Sequence, residues 1–246
     1  TINQLAPGRV FLGVGTGNTA MRVMGHKPMP IAEFDAWLAT VKPLLRGAEA
    51  SFHWRGKDMP IRHLMPDAGF VNFADPIPLY VSGFGPRALG LVGKHGDGAV
   101  LSIPPEAKYM AGVWRHIERG AEAACRVLDR TRFRAASLTT LVVLNPGEAP
   151  DSPRVRRLCG AFAMASLHYT YDRWRQTGQP PGQAVADIWT EFCAHMARFP
   201  EERRHQYVHR GHNCWVEPEE ERFLTRELMT STCMIGTAGE LVDRLG

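Results

Sequence analysis

Two glycine-rich segments and one run of histidines hold the residue types that could do chemistry in this chain. In the first, Gly13-Val14-Gly15-Thr16-Gly17-Asn18 closes the apolar run Arg9 to Val14, itself preceded by Pro7-Gly8. Glycine lacks a side chain and reaches dihedrals closed to other residues, so such a segment lets backbone come close to a ligand. It is an incomplete dinucleotide fingerprint, because Asn18 stands where the third glycine of G-x-G-x-x-G is required. The second segment, Gly83-Phe84-Gly85-Pro86-Arg87, follows the short strand Leu79 to Ser82 and opens a helix, with Pro86 at the favoured first helical position. Backbone amides at that helix start, with Arg87, would make a pocket for an anion such as phosphate. A tight strand-to-helix turn with a solvated arginine accounts for the same residues without a ligand.

The histidines His205, His209 and His212 fall in HQYVHRGHNCW. His209-x-x-His212 with Cys214 has the outline of a metal site. Histidines on helical segments more often cap or face solvent, and no metal is expected. His209 and His212 are read instead as residues lining a substrate pocket, and they are the catalytic candidates the sequence offers. The run Glu217 to Arg222 reads as a solvated helix start.

The elements that must position these residues follow from hydrophobic spacing. Arg9 to Val14 is apolar without alternation, as in a parallel strand covered on both faces. Ile31, Phe34, Trp37, Leu38, Val41, Leu44 and Leu45 draw one stripe on a helix that Pro43 should kink or shorten and Gly47 closes. A helix from Arg87 to His95, a turn at Asp97-Gly98 and a strand from Ala99 to Ser102 come next. A long amphipathic helix then spans Met110 to Leu128, and an unbroken strand spans Leu138 to Leu144. The stripes holding Trp37 and Trp114 read as core packing. From about 151 to 230 helical stretches follow one another around Gly178-Gln179-Pro180-Pro181, which marks a helical insertion. A short strand near Thr232 to Ile235 and a helix from Ala238 to Leu245 restore the pattern. Alternation of this kind predicts an α/β fold with a parallel sheet.

Composition narrows the class. A chain of 246 residues, 44% of them apolar, can bury one substantial core, so residues 1–246 are read as one domain. The 29 basic and 25 acidic residues leave a net charge of +4 spread along the chain, which points to no nucleic-acid or membrane partner. Cys125, Cys159, Cys193, Cys214 and Cys233 are odd in number and hold no C-x-x-C, which fits a reducing cytoplasm. No apolar run reaches membrane-span length and no signal peptide is evident.

The stretches PGRVFLGVGTGNTAMRVMG, LLRG, PLYVSGFGPRALGLVGKHGDGAVL and IGTAGELVDRL resemble, in order and spacing, landmarks of the bacterial-luciferase-like flavin-dependent oxidoreductases. The likeness covers residues 1 to about 145 and 234 to 246 and is loose across the insertion. It implies a (β/α)8 TIM barrel that binds FMN or a coenzyme F420-type deazaflavin at the C-terminal ends of its strands. PGRVFLGVGTG resembles the family's fourth strand, PLYVSG its fifth and DGAVL its sixth. The barrel is therefore expected to be N-terminally incomplete by three βα units, at ~30 residues each, with the insertion after the seventh strand.

By the same resemblance Gly15, Thr16, Gly17 and Asn18 lie beside the flavin ribityl chain and phosphate. Gly83, Phe84, Gly85, Pro86 and Arg87 form the phosphate-facing loop. Thr16 stands where luciferase carries an arginine, a departure shared with the reductase-like branch, similar to methylenetetrahydromethanopterin reductase. The implied function is a flavin-dependent oxidoreductase, either a monooxygenase or a hydride-transferring reductase, acting on a small organic substrate. A non-catalytic or degenerate flavin-binding barrel and an unrelated phosphosugar-binding α/β enzyme are the competing readings. An incomplete barrel exposes strand edges, so a homodimer or an additional chain completing it is expected.

Overall fold

The computed structural model describes residues 2–246, which form two compact units. The first comprises the chain up to Gly17, Met29–Ser102 and Met110–Ser137; the second comprises Asn18–Pro28, Ile103–Tyr109 and Leu138–Gly246.

The first unit is built on a fully parallel four-stranded sheet. Its strands are β1 (Leu12–Val14), β4 (Leu79–Ser82), β5 (Gly98–Leu101) and β6 (Arg134–Ser137), in that spatial order. Leu79, Val81, Ala99 and Leu101 are buried on one face of the sheet, whereas Tyr80, Ser82 and Val100 on the other are half-buried, so the expectation of strands covered on both faces is met in full on one face only. Helices Pro86–His95 and Ala107–Ala123 follow β4 and β5, so the strand–helix alternation read from the sequence is present. The helix at Ile31–Leu44 ends one residue past Pro43, so the proline sits in its last turn and the helix stops there, shortened as expected. Phe34 and Leu38 of its stripe are buried, but Trp37 is 37% exposed, so that part of the core expectation is corrected: the helix buries a narrower face than the stripe suggests. Trp114 is half-buried and packs edge-on against Phe133 with Arg130 over its face.

Three further corrections concern this region. The helix expected to reach Leu128 stops at Ala123. Cys125 takes φ 51, and Cys125 N and Arg126 N donate to Glu122 O and Ala121 O, the paired bonds of a left-handed helix stop, which leave Val127 almost wholly exposed. A hairpin of β2 (Ala50–Trp54) and β3 (Lys57–Ile61) was not foreseen; Arg55 and Gly56 both have positive φ, as a tight two-residue hairpin turn requires. The strand read as continuous from Leu138 to Leu144 is paired only over β7 (Leu141–Val143), which lies parallel to β8 (Met234–Gly236) in the second unit. The strand next to β5 is instead Arg134–Ser137, whose Arg-Ala-Ala-Ser sequence carries little β preference of its own.

The second unit is mostly helical, as the insertion reading expected. Helix Pro153–Thr177 is capped by Ser152, whose hydroxyl accepts from Val155 N, and stopped by Gly178 in the left-handed region. It buries Cys159, Met164, Leu167 and Tyr171 in a cluster with Phe192 and Met196 of helix Ala186–Ala197 and Leu228 and Met229 of helix Arg226–Thr232. The run Glu217 to Arg222, expected to be solvated, is corrected at Glu220: its carboxylate is buried, because it faces two buried histidines.

Candidate functional site

In the first unit both glycine segments emerge at the C-terminal ends of adjacent parallel strands. The register pairs Gly13 with Tyr80 and Val14 with Val81, which sets Gly15 beside Ser82. A Cβ on Gly15 would stand 3.2 Å from Ser82 Cβ, so any side chain there would crowd the next strand's end. Gly17 has φ 73, in the region that favours glycine, and turns the chain after Thr16 O accepts from Met29 N. At the next strand end Gly83 is buried, and a Cβ would meet the Ala88 carbonyl carbon at 2.9 Å. Phe84, Gly85, Pro86 and Arg87 are exposed. Gly85 caps the helix in an extended conformation, its carbonyl accepting from Leu89 N, and open space surrounds the position where a Cβ would be.

Arg87 makes no ion pair among the described residues, and it sits in the first turn of a ten-residue helix with no acidic residue in that turn. A cation at the positive end of a helix dipole is unfavourable unless an anion joins it. The free amides, the unpaired guanidinium and the space at Gly85 together fit a phosphate. The structure thus brings Gly15, Thr16 and Gly17 to the same sheet end as Gly83 to Arg87. Asn18 begins a short helix in the second unit, and its Oδ1 accepts from Arg22 Nε at 2.7 Å.

Asp97, read only as a turn, is the bracket at the opposite end of these strands. Its Oδ2 accepts from Leu79 N at 3.1 Å, its backbone N donates to Leu79 O, and Lys42, Arg46 and Arg126 surround Oδ1 at 3.4 Å. Burial pushes the Lys42 ammonium down despite that carboxylate.

In the second unit His209 and His212 come together with His168, and Cys214 is exposed and takes no part. His168 and His209 are buried. Their Nε2 atoms face carboxylates, His168 on Glu220 at 3.1 Å and His209 on Asp172 at 2.9 Å, while His212 Nε2 lies 3.4 Å from the Tyr169 hydroxyl. Tyr169 also bonds Thr19, and Arg22 approaches Asp172 at 3.4 Å. Burial, then the neighbouring His209 and His168, pushes the His212 imidazole down to about 4. His195 stands behind Glu220 at 3.8 Å and is also pushed down by burial. The sequence reading missed His168, Asp172 and Glu220. The one legible sign was the four-residue spacing of His168 and Asp172, which puts both on one helix face.

Residues 1–246 match the family described as luciferase-like monooxygenase. A curated relative, the F420-dependent glucose-6-phosphate dehydrogenase of Beutenbergia cavernae, is 29% identical over 178 residues, which are 68% of this chain and 48% of that protein. The chain thus spans about half the length of that relative. Among solved structures, an F420-dependent secondary alcohol dehydrogenase in complex with an F420-acetone adduct superposes with a TM-score of 0.55 at 17% identity, over 100% of this chain and 63% of that one. The coenzyme F420-dependent tetrahydromethanopterin reductase of Methanopyrus kandleri gives 0.57 at 15% identity, over 98% and 66%. At these identities the likeness shows the fold, that of the luciferase-like barrels.

Proposed function

Since the chain belongs to the luciferase-like monooxygenase family, we propose that it is an oxidoreductase that binds an F420-type deazaflavin and uses it for hydride transfer with a small organic substrate. The observation that carries this reading is the exposed glycine turn and helix start of Gly83 to Arg87 beside the Gly15 to Gly17 loop, at the C-terminal ends of neighbouring parallel strands. Barrels of this kind keep their chemistry at that face. The choice of a deazaflavin rests on the relatives' coenzyme and on Thr16, which stands where an arginine marks luciferase.

When bound, the deazaflavin supplies or accepts a hydride and reacts poorly with oxygen; the protein supplies binding and orientation. The backbone N–H groups of Gly85 and Arg87 and the Arg87 guanidinium hold the phosphate. The bare backbone at Gly15 and Gly17 admits the coenzyme chain without a side chain in its path. The family's description supports a second reading, an FMN-dependent monooxygenase.

Titration of the purified protein with F420 and with FMN, read by coenzyme fluorescence, separates these. The proposal expects F420 to bind more tightly, and bound F420 to be reduced anaerobically by one member of an alcohol panel that includes glucose 6-phosphate. Tighter FMN binding with oxygen-dependent substrate consumption would establish the monooxygenase, and binding of neither coenzyme would overturn both.

A further inference from the structure

We propose that His168, His209 and His212 form a binding site for a single divalent transition-metal ion of the zinc class. One ring nitrogen of each lies within 4.8 Å of those of the other two. In all three rings Nδ1 is buried and without a hydrogen-bond partner. A neutral imidazole has one N–H and one lone pair. Where Nε2–H is given to the Glu220 and Asp172 carboxylates, the lone pair is left on Nδ1 with nothing to accept from. Buried polar atoms in folded proteins are almost always satisfied, so three such nitrogens in one cluster of histidines call for an electrophile.

The surroundings match what a metal needs. Imidazole ligands suit zinc and its neighbours, and three histidines with an open fourth position make a common tetrahedral set. A ligating histidine normally donates its other N–H to a carboxylate, which fixes tautomer and ring orientation. Asp172 and Glu220 hold that place for His209 and His168, and Tyr169 stands behind His212. Those two carboxylates also balance the charge of a divalent ion. Zn–N bonds of ~2.0–2.1 Å in a tetrahedron set the nitrogens ~3.3–3.4 Å apart, so the rings close by no more than about 1.5 Å from the 4.8 Å limit. His168 is held in a packed helix, whereas His209 and His212 flank Gly211, whose φ of 73 marks a turn between them. The closure falls on that turn.

The test uses the whole chain, stripped with a chelator and without any coenzyme, so its outcome does not depend on the proposed activity. Zn2+ is titrated against a chromophoric chelator, and Co2+ is added while visible absorption is followed. Uptake of a single ion per chain, tetrahedral cobalt bands and a melting temperature that rises with zinc are expected. Asp172→Asn and Glu220→Gln should weaken zinc binding about 10–100-fold. His212→Ala should abolish stoichiometric uptake, and His212→Gln, which keeps the volume, gives the same reading if the alanine variant does not fold. His53→Ala, at an exposed hairpin histidine, should bind as the parent does. Failure of the parent to take up either ion, or full uptake by a folded His212→Gln protein, overturns the site.

Discussion

Arg87 illustrates how a single residue can carry a functional argument. Its helix start offers amide donors, lacks a carboxylate to pair with the guanidinium, and leaves the side chain exposed. A hydrogen bond to a charged group contributes ~1.5–3 kcal/mol. Replacing Arg87 by alanine should therefore weaken coenzyme binding about 10–100-fold, at ~1.4 kcal/mol per factor of ten, and leave the unfolding midpoint unchanged. Equal dissociation constants for parent and variant would remove Arg87 from the site. This residue was legible because strand, glycine turn, Pro86 and arginine are adjacent in sequence. His168 was not, because its partners lie 41 to 52 positions further along the chain, at His209 and Glu220, and no local pattern brings them together. Cys214 was misleading for the complementary reason: it is near His212 in sequence and exposed in space.

Helix contacts set which glycines matter. Helices Pro86–His95 and Ala107–Ala123 cross so closely that a Cβ on Gly93 would lie 1.8 Å from Ile117 O, and one on Gly120 would lie 2.0 Å from Gly90 O. Gly112, on the same long helix, faces open space. Overpacking a tight contact costs ~1–3 kcal/mol, occasionally more, whereas removing a helical glycine in free space gains ~0.5–1 kcal/mol. Chemical denaturation should thus show Gly93→Ala destabilised by about 3 kcal/mol or more and Gly112→Ala unchanged or improved; similar values for the two would refute the close crossing.

A second element, the turn between β7 and helix Pro153–Thr177, is organised by Glu148. It accepts from Arg154, Ser152 and Asn145 N, and these bonds hold its carboxyl at about 2 against an ordinary 4.5. A depressed carboxylate stabilises the fold above its unfolded value and loses that contribution as pH falls through the folded one. The stability gap between parent and Glu148→Gln should be full above pH 4.5 and vanish near pH 2. A gap that persists at pH 2 would mean the charge is not the cause. Helices with clear stripes were legible at this scale; β6 was not, since Arg134-Ala135-Ala136-Ser137 is a strand only because β5 lies beside it.

At the scale of the molecule, parallel pairing was legible from the alternation of strands with helices, which in one sheet implies crossover connections. The extent of pairing was not, since it depends on what lies at each edge. Among the described residues β1 pairs on one side only, with β4, so its other side presents a row of backbone donors and acceptors. Phe11, immediately before β1, stacks on Tyr80 at 4.6 Å and is still 57% exposed, and Leu5 of the same unit is 88% exposed. Isolated proteins protect such edges with charge, proline or bulges, and Leu12-Gly13-Val14 carries none of them. A second copy of the chain is the partner available in a pure solution. Sedimentation velocity across a concentration series should accordingly show reversible self-association of the 246-residue chain. Phe11→Lys, which sets a charge on that edge, should shift the equilibrium toward monomer while circular dichroism stays unchanged. A monodisperse monomer at every concentration, or association indifferent to the lysine, would mean that the edge of β1 is covered by other means.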